Sequence, residues 1–317
     1  MLRIYYKKNT RLAKETEIEL LREIPIESLI WVDLQNPTIE EKVTIETYFD
    51  IKYSSEEESQ EIESSSRFSE LDNEIIINSS FLSVREHGFE YSPVSIILEK
   101  GILFTYRDDD IKTFSESVKK IKSNPTLYVN GYQILSTLLE TCIDQDADLI
   151  ENIAKEISEL NKTLKATNEK VDEEDLLKIS SLQNDNMLLR ENIIDKQRML
   201  SALLKSTSFP KDKMDLLRIM IKDISSLLEH NKFAFERLEF LQDTFMGLIN
   251  IEQNRIIKIF TVATVAFMPP TLIASIYGMN FTNMPELNWS YGYIIAIFLM
   301  LISSFGTIIY FKKKKWL

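Results

Sequence analysis

Hydrophobic and polar positions follow three successive rhythms along the chain. Over residues 1–125, short β-rich runs predict strands at 2–6, 29–33, 74–84, 94–98 and 102–106. Glu99-Lys100-Gly101, between the last two, reads as a hairpin turn. Thr38 with Glu41 three residues on has capping-box spacing and predicts a helix to about Phe49. The stretch 54–66 is rich in Ser and Glu and reads as an acidic loop or surface. From Asn130 the period becomes helical. Leu135, Leu138, Leu139 and Cys142 begin an i, i+3, i+4 stripe that runs to about Lys165. After a polar, acidic break at 167–175, a second helix covers about 176–206, giving an αα-hairpin with an acidic tip. Pro210 suits the first turn of a third helix. From Asp212 to Tyr277 no strong stop signal occurs except Gly247 and Pro269-Pro270. A continuous helix there would extend roughly 100 Å at 1.5 Å per residue.

The third rhythm is apolar. Residues 259–285 and 287–311 contain no charge, with Glu286 alone between them. Their apolar parts, about 256–276 and 291–311, match the roughly 20 residues that cross a hydrocarbon core. Arg255 and Lys258 flank the first, Lys312, Lys313, Lys314 and Lys315 follow the second, and the connection has no basic residue. The positive-inside rule therefore predicts that both termini are cytoplasmic and the short loop external, with the protein in the cell (inner) membrane. Trp289, Tyr291 and Tyr293 at one border, with Tyr310 and Trp316 at the other, suit interfacial belts. The amino terminus has no apolar core of the kind a cleaved signal needs.

Composition sharpens this division. The mean hydropathy of −0.13 and net charge of −12 are averages over two unlike parts. Residues 251–317 hold six of the 37 basic groups and two of the 49 acidic ones, a net of +4. Residues 1–250 keep the other 31 and 47, a net of −16. That acidity argues against nucleic acid and for a cation as partner. Glycine numbers only 7, with none between Gly131 and Gly247, as long helices require. A single cysteine excludes a disulfide framework or a multi-thiolate metal site. His87 and His230 stand without a nucleophile motif, and no phosphate-cradling Gly-Lys-Ser/Thr loop is present, so neither an enzyme nor ATP-driven transport is indicated.

Within the first apolar segment the polar residues are ordered. Asn254, Thr261, Thr264, Thr271 and Ser275 are separated by 7, 3, 7 and 4 positions, which places them on one helical face. Ile257 and Met268 fill gaps in the same seam, and Phe260 lies near its edge. Such a face serves either as a pore lining or as a helix-packing surface, because small and hydroxylated residues also favour contacts between membrane helices. Pro269-Pro270 removes the amide partners of the carbonyls one turn earlier, at Val265 and Ala266. Two spans cannot enclose a channel in one chain, so a pore would need an oligomer.

The first apolar segment ends Tyr277-Gly278-Met279-Asn280-Phe281, and the loop continues Met284-Pro285-Glu286-Leu287. Here the sequence resembles the CorA family of magnesium transporters, whose signature is YGMNF followed by MPEL. The resemblance extends upstream through Ile249-Asn250-Ile251-Glu252-Gln253-Asn254-Arg255 and down to the terminal lysines.

The resemblance implies an α+β cytoplasmic domain at 1–125, an αα-hairpin at 126–209 and a stalk helix at 210–255. The stalk would continue into a pore-lining helix at 256–277, then an external loop at 278–290, a second span at 291–311 and a basic tail at 312–317. It also implies a homopentamer embedded in membrane lipid, with Mg²⁺ as substrate and regulatory ligand, Co²⁺ and Ni²⁺ as further candidate ions, and no resident cofactor. Gly278, Met279 and Asn280 would form the outer mouth. Asn254, Ile257, Phe260, Thr261, Thr264, Met268 and Thr271 would line the pore, and Glu286 would gather cations outside. The lysines Lys312, Lys313, Lys314 and Lys315 would form a basic collar. Glu57, Glu58 and Glu61, with Asp215 and Asp223 on the stalk, are the nearest matches to the family's regulatory carboxylates; the stalk aspartate of the family pattern aligns with Ile219. Competing expectations are a zinc-exporting relative, which intact YGMNF and MPEL disfavour, and a membrane-tethered structural or sensory rod.

Overall fold

The structure is a computed structural model. It describes every residue except 9–10, 55–66, 72–73, 86–87, 167–172, 282 and 315–317, and describes 163–166 and 173 by backbone alone. Glu57, Glu58, Glu61 and Lys315 therefore lie outside the described residues. Two compact units are present, Met1–Leu241 and Gln242–Leu317.

In the first unit, strands β1 (Leu2–Lys8), β2 (Arg11–Glu15), β3 (Leu29–Gln35), β4 (Phe68–Leu71), β5 (Glu74–Arg85), β6 (Gly88–Glu99) and β7 (Ile102–Arg107) form one sheet. Their order is β2-β1-β3-β7-β6-β5-β4. Only β3 and β7 pair in parallel. The β6–β7 turn forms where the sequence predicts it: Glu99 pairs with Ile102, and Lys100 and Gly101 both take positive φ, 49° and 78°. That is the two-residue hairpin geometry that glycine makes inexpensive.

Strict alternation gives the sheet two different faces. Leu2, Ile4, Val32, Leu34, Ile97 and Phe104 share one core with Ile45 of helix α1 (Ile39–Phe49). Helix α1 opens on the expected capping box between Thr38 and Glu41. The opposite face is polar at its centre. Arg3 pairs with Asp33, and Asp33 with Thr105, across three adjacent strands. Asp33 accepts hydrogen bonds from Arg3 at 2.9 Å, Arg107 at 2.9 Å and the Thr105 hydroxyl at 2.8 Å. Helix α2 (Lys112–Ser123) covers this network with Phe114, whose ring lies 4.1 Å from the Arg107 guanidinium. Arg107 and Asp33 are both buried, which is tolerable because each finds its counter-charge there.

Helices α3 (Gly131–Ala166) and α4 (Glu173–Lys205) form the expected pair. Gly131 is needed at the entry, because a Cβ there would strike the backbone of Ile102 and Leu103. A buried ion pair joins the two helices, Lys196 to Asp146 at 2.8 Å, with the Asn192 amide also donating to Asp146. Next comes α5 (Met214–Tyr277), which runs 64 residues and contains Pro269 and Pro270 without a break. Pro210 caps a short 3₁₀ turn (Lys211–Lys213) just ahead of it instead of entering its first turn. Leu217, Met220, Ile224, Asn231 and Leu238 form its buried stripe in the first unit. Asn231 fixes the register there, donating to the Asn186 carbonyl and side-chain oxygen of α4 at 3.0 Å each. A final helix, α6 (Gly292–Lys313), follows the loop. Both α5 and α6 are long and apolar enough to cross a membrane.

The turn before α5 is held from an unexpected direction. Glu70 on edge strand β4 accepts from the Thr207 amide at 3.1 Å, the Thr207 hydroxyl at 2.9 Å and the Ser208 amide at 2.8 Å. Hydrogen bonding by Ser208 above all, then by Thr207 and Ser206, holds the Glu70 carboxyl down at about 2. A carboxyl acidified by folding stabilises fully above its ordinary value of 4.5 and loses that contribution as pH falls towards 2. Glu70→Gln is expected to cost about 1 kcal/mol at neutral pH after allowance for solvent screening. Thermal melts of the full chain should show the gap between wild type and variant closing as pH drops from 4.5. A pH-independent gap would show that the carboxylate charge is not what holds the turn.

Candidate functional site

At 3.6 residues per turn, the seam residues of α5 cluster on one side of the helix. Asn254, Ile257, Thr261, Thr264, Met268, Thr271 and Ser275 are all exposed, Ile257 at 54% and Met268 at 61%. Phe260, at the edge, is 70% exposed. Val262, Ala266, Pro269, Pro270 and Ile273 are less exposed and lie roughly opposite the seam, and Val265, also less exposed, lies to one side of it. On α6 a matching covered stripe passes through Ala296, Met300, Ser303 and Thr307. The chain therefore covers the aliphatic and proline face of its first span and leaves the polar seam open. Of the two roles that such a face can play, contact with the chain's own second span is not the one this seam fills. The carbonyls at Val265 and Ala266, deprived of amides by the prolines, sit away from the seam's centre.

The threonines are chemically oriented. Thr261 donates to the Ile257 carbonyl at 2.8 Å, Thr264 to Phe260 at 2.9 Å and Thr271 to Phe267 at 2.8 Å. Each hydroxyl proton is thus committed to the helix, and the free lone pairs can only accept. A hydrated cation turns its water hydrogens outward, so a row of acceptors suits it better than a hydrated anion. The rungs between them, Ile257 and Met268, offer no polar atom beyond a weak thioether acceptor.

Helix α5 stops at Tyr277. The Gly278 amide still donates to Ala274 at 2.9 Å and the Met279 amide to Ile276 at 3.3 Å. A Cβ on Gly278 would stand 3.1 Å from the Ala274 carbonyl, so close approach to the last turn, not a left-handed φ, makes glycine fit here. Met279 and Asn280 follow, both exposed. Glu286 lies in a 3₁₀ turn (Pro285–Asn288) whose backbone folds against the start of α6. The Trp289 amide donates to the Glu286 carbonyl at 3.3 Å, and a Cβ on Gly292 would come within 2.5 Å of that same oxygen. The signature loop is therefore a folded turn, with the Glu286 side chain exposed.

The remaining candidate residues are more scattered. Asp215 is exposed and paired with Arg218 at 2.6 Å, one turn along its own helix. Asp223 and Ile219 are exposed on the same helix, and Glu57, Glu58 and Glu61 fall outside the described residues. Among the described residues no three His, Cys, Asp or Glu side chains come together as metal ligands. Lys312 and Lys313 form the last turn of α6 and Lys314 caps it.

A span with a polar seam, an exposed GMN turn and an MPEL loop folded on the second span invites comparison with known proteins. The family model described as CorA-like Mg²⁺ transporter protein matches residues 27–313. The chain belongs to the CorA family. The magnesium transport protein CorA of Wolinella succinogenes is 40% identical over 322 aligned residues that span all of both chains. The CorA protein of Escherichia coli K12 is 36% identical over 320, again across both full lengths. The solved CorA magnesium transporter of Methanocaldococcus jannaschii shares the fold, with a TM-score of 0.81 at 23% identity, covering 100% of this chain and 99% of that one. CorA proteins are membrane transporters, and α5 and α6 are the candidate spans of this member.

The Glu70 contact with the turn before α5 is nearly silent in the sequence. The polar run Ser206-Thr207-Ser208 ahead of Pro210 was its only trace, because the partner lies 137 positions earlier. The orientation of the seam can be checked by thiol labelling. Cys142 is buried, and burial pushes its thiol up to about 12, so it need not be removed. Single cysteines at Thr264, Met268 and Thr271 in the reconstituted protein should react with a hydrophilic thiosulfonate at least about tenfold faster than cysteines at Val262 or Ala266, as water-facing thiolates do. Equal rates on the two faces would mean that the seam does not face water.

Proposed function

We propose that this chain carries Mg²⁺ into the cell through a pore made by five copies, each contributing its α5 seam. The carrying observation is that the seam is exposed along its whole length on the face opposite the covered stripe, and leads to the Gly278-Met279-Asn280 turn. Full-length relatives named as magnesium transport proteins support the choice of ion. Asn254, Ile257, Phe260, Thr261, Thr264, Met268 and Thr271 line the pore, and Asn280 rings its outer mouth. Mg²⁺ surrenders water reluctantly, so a site that must release it quickly holds the hydrated ion through its outer shell. Carboxamide and hydroxyl oxygens do this by accepting from the ion's waters. Selectivity then comes from size and geometry at the mouth, with Co²⁺ and Ni²⁺ as near matches. Glu286 raises the local cation concentration outside.

No ATP is needed. A divalent ion moving inward gains about 2 × 2.3 kcal/mol per 100 mV of membrane potential. Both termini, with Lys312, Lys313, Lys314 and Lys315, lie in the cytoplasm. Inside the cell, Mg²⁺ bound among Glu57, Glu58, Glu61, Asp215 and Asp223 of neighbouring subunits closes the pore. When it leaves, the carboxylates repel and the seam widens at Ile257 and Met268.

Uptake of Mg²⁺ into liposomes under an imposed inside-negative potential tests the reading. Wild-type protein should exceed protein-free liposomes severalfold, and Asn280→Ala should lower the rate at least about tenfold, the loss of a ring of charge-assisted contacts. Wild-type uptake no greater than in protein-free liposomes, or selective passage of Zn²⁺, would overturn it. Neutralising Glu57, Glu58, Asp215 and Asp223 together should shift inhibition to higher internal Mg²⁺; unchanged inhibition would remove them as the sensor.

A further inference from the structure

The loop between the two apolar helices is held to the second one by a contact that only a glycine allows. Gly292 opens α6, and the 3₁₀ turn Pro285–Asn288 lies just ahead of it in the same compact unit. A Cβ on Gly292 would stand 2.5 Å from the Glu286 carbonyl oxygen, 3.6 Å from the carbonyl carbon and 3.9 Å from the Trp289 Cβ. Ordinary van der Waals contact begins at 3.4 Å, so a side chain here would push the Glu286 peptide about 1 Å off α6. A backbone oxygen cannot swing aside as the tip of a long side chain can. Conformational freedom is not what the glycine supplies, because the positive-φ glycines among the described residues are Gly88 and Gly101. Gly306, further along the same helix, has open space where its Cβ would be, so the close approach is particular to Gly292.

What the contact holds is the peptide that carries Glu286. The Glu286 carbonyl also accepts from the Trp289 amide at 3.3 Å, the Trp289 carbonyl from the Gly292 amide at 2.9 Å, and the Met284 carbonyl from the Leu287 amide at 3.2 Å. These bonds close residues 284–292 into one piece based on the first turn of α6, and Pro285 stiffens it by fixing its own φ. Glu286 carries the only charge between Lys258 and Lys312, and its side chain is exposed. Attraction between charges changes slowly with separation and tolerates a shift of about 1 Å. A hydrogen bond from the water shell of an ion does not, because it weakens steeply as its geometry worsens.

We propose that Gly292 is the positioning residue of the external loop. By carrying no side chain it seats the Glu286 peptide on α6, and so fixes where the Glu286 carboxylate accepts hydrogen bonds from the water shell of incoming Mg²⁺. The second span thereby takes part in ion capture without lining the pore. The inference deepens the proposed role of Glu286 and rests on it.

Amide exchange and Mg²⁺ uptake, both measured on the full-length chain in liposomes, test it together. In wild type the Leu287 and Trp289 amides should exchange at least about tenfold more slowly than in an unstructured peptide, and Gly292→Ala should remove most of that protection. Gly306→Ala, whose Cβ meets nothing, should leave it intact. In the uptake assay Gly292→Ala should raise the half-saturating external Mg²⁺ about threefold or more with the maximal rate kept, the sign of lost binding rather than lost turnover. Glu286→Gln should do the same, and the double variant should be no worse than Glu286→Gln alone, because both changes act on one group. Unprotected Leu287 and Trp289 amides in wild type would overturn the proposal without any variant, so a Gly292→Ala chain that fails to fold does not shield it. Lost protection with unchanged half-saturation would overturn it too, leaving the glycine a structural role. So would an inert Glu286→Gln, or a double variant showing the product of the two single effects, which would place the action of Gly292 elsewhere. Absence of Mg²⁺ uptake by wild type would overturn the proposed function and this role with it, while the exchange rates would still show whether Gly292 seats the loop.

Discussion

Helix α5 can run from the soluble body into hydrocarbon only while its backbone groups remain paired within the chain. No water is available in the bilayer core to replace a lost partner. That constraint decides much of the membrane unit. The threonines of the seam bond back to their own helix, so their hydroxyl protons are paired within the chain. The proline pair is placed on the covered side, away from the open seam. The helix ends only at Gly278, where the chain turns into a loop that makes its own short-range bonds through Met284, Glu286 and Trp289. One constraint thus produces a rigid span, an acceptor-lined face and a folded loop.

On the proposed reading, the same constraint explains why the pore works without a carboxylate. A fixed charge in the span would be costly to hold in lipid and slow to release Mg²⁺. Acceptors whose protons are already committed interact with the water shell of a cation and discriminate by geometry. The charges that the protein does carry are kept elsewhere. The −16 portion forms the soluble body, and the lysines collect at one membrane border.

Much of this was legible in the sequence because the decisive signals were local. The β5 and β7 strands are apolar runs, the Lys100-Gly101 turn needs positive φ, and the Thr38–Glu41 box spans three residues. The hydroxyl rhythm of the first span and the YGMNF and MPEL strings were equally plain. What escaped was what the tertiary structure decides. Helix α2 buries Thr113 and Ser117 beside Phe114 and Ile121, so its covered face does not look apolar, and Ile111 offers no side-chain cap. Strands β2 and β4 are short and lie at the sheet edges, where few residues need be hydrophobic. Strand β6 starts at Gly88, not near Val94, because Pro93 is tolerated where β6 has only β5 beside it. The Arg3–Asp33–Thr105 ladder and the Asp146–Lys196 pair join residues that no spacing rule connects.

The claim that the mouth recognises a hydrated ion is tested most directly by an analogue that cannot shed its shell. Cobalt(III) hexaammine presents six outward N–H-bearing ligands around a compact cation and exchanges them too slowly to be stripped. In the liposome assay it should compete with Mg²⁺ for entry from the outside, and Asn280→Ala should weaken that competition together with Mg²⁺ uptake. Uptake of Mg²⁺ unaffected by the complex would mean that the ion is recognised bare, and outer-shell recognition at Asn280 would be contradicted.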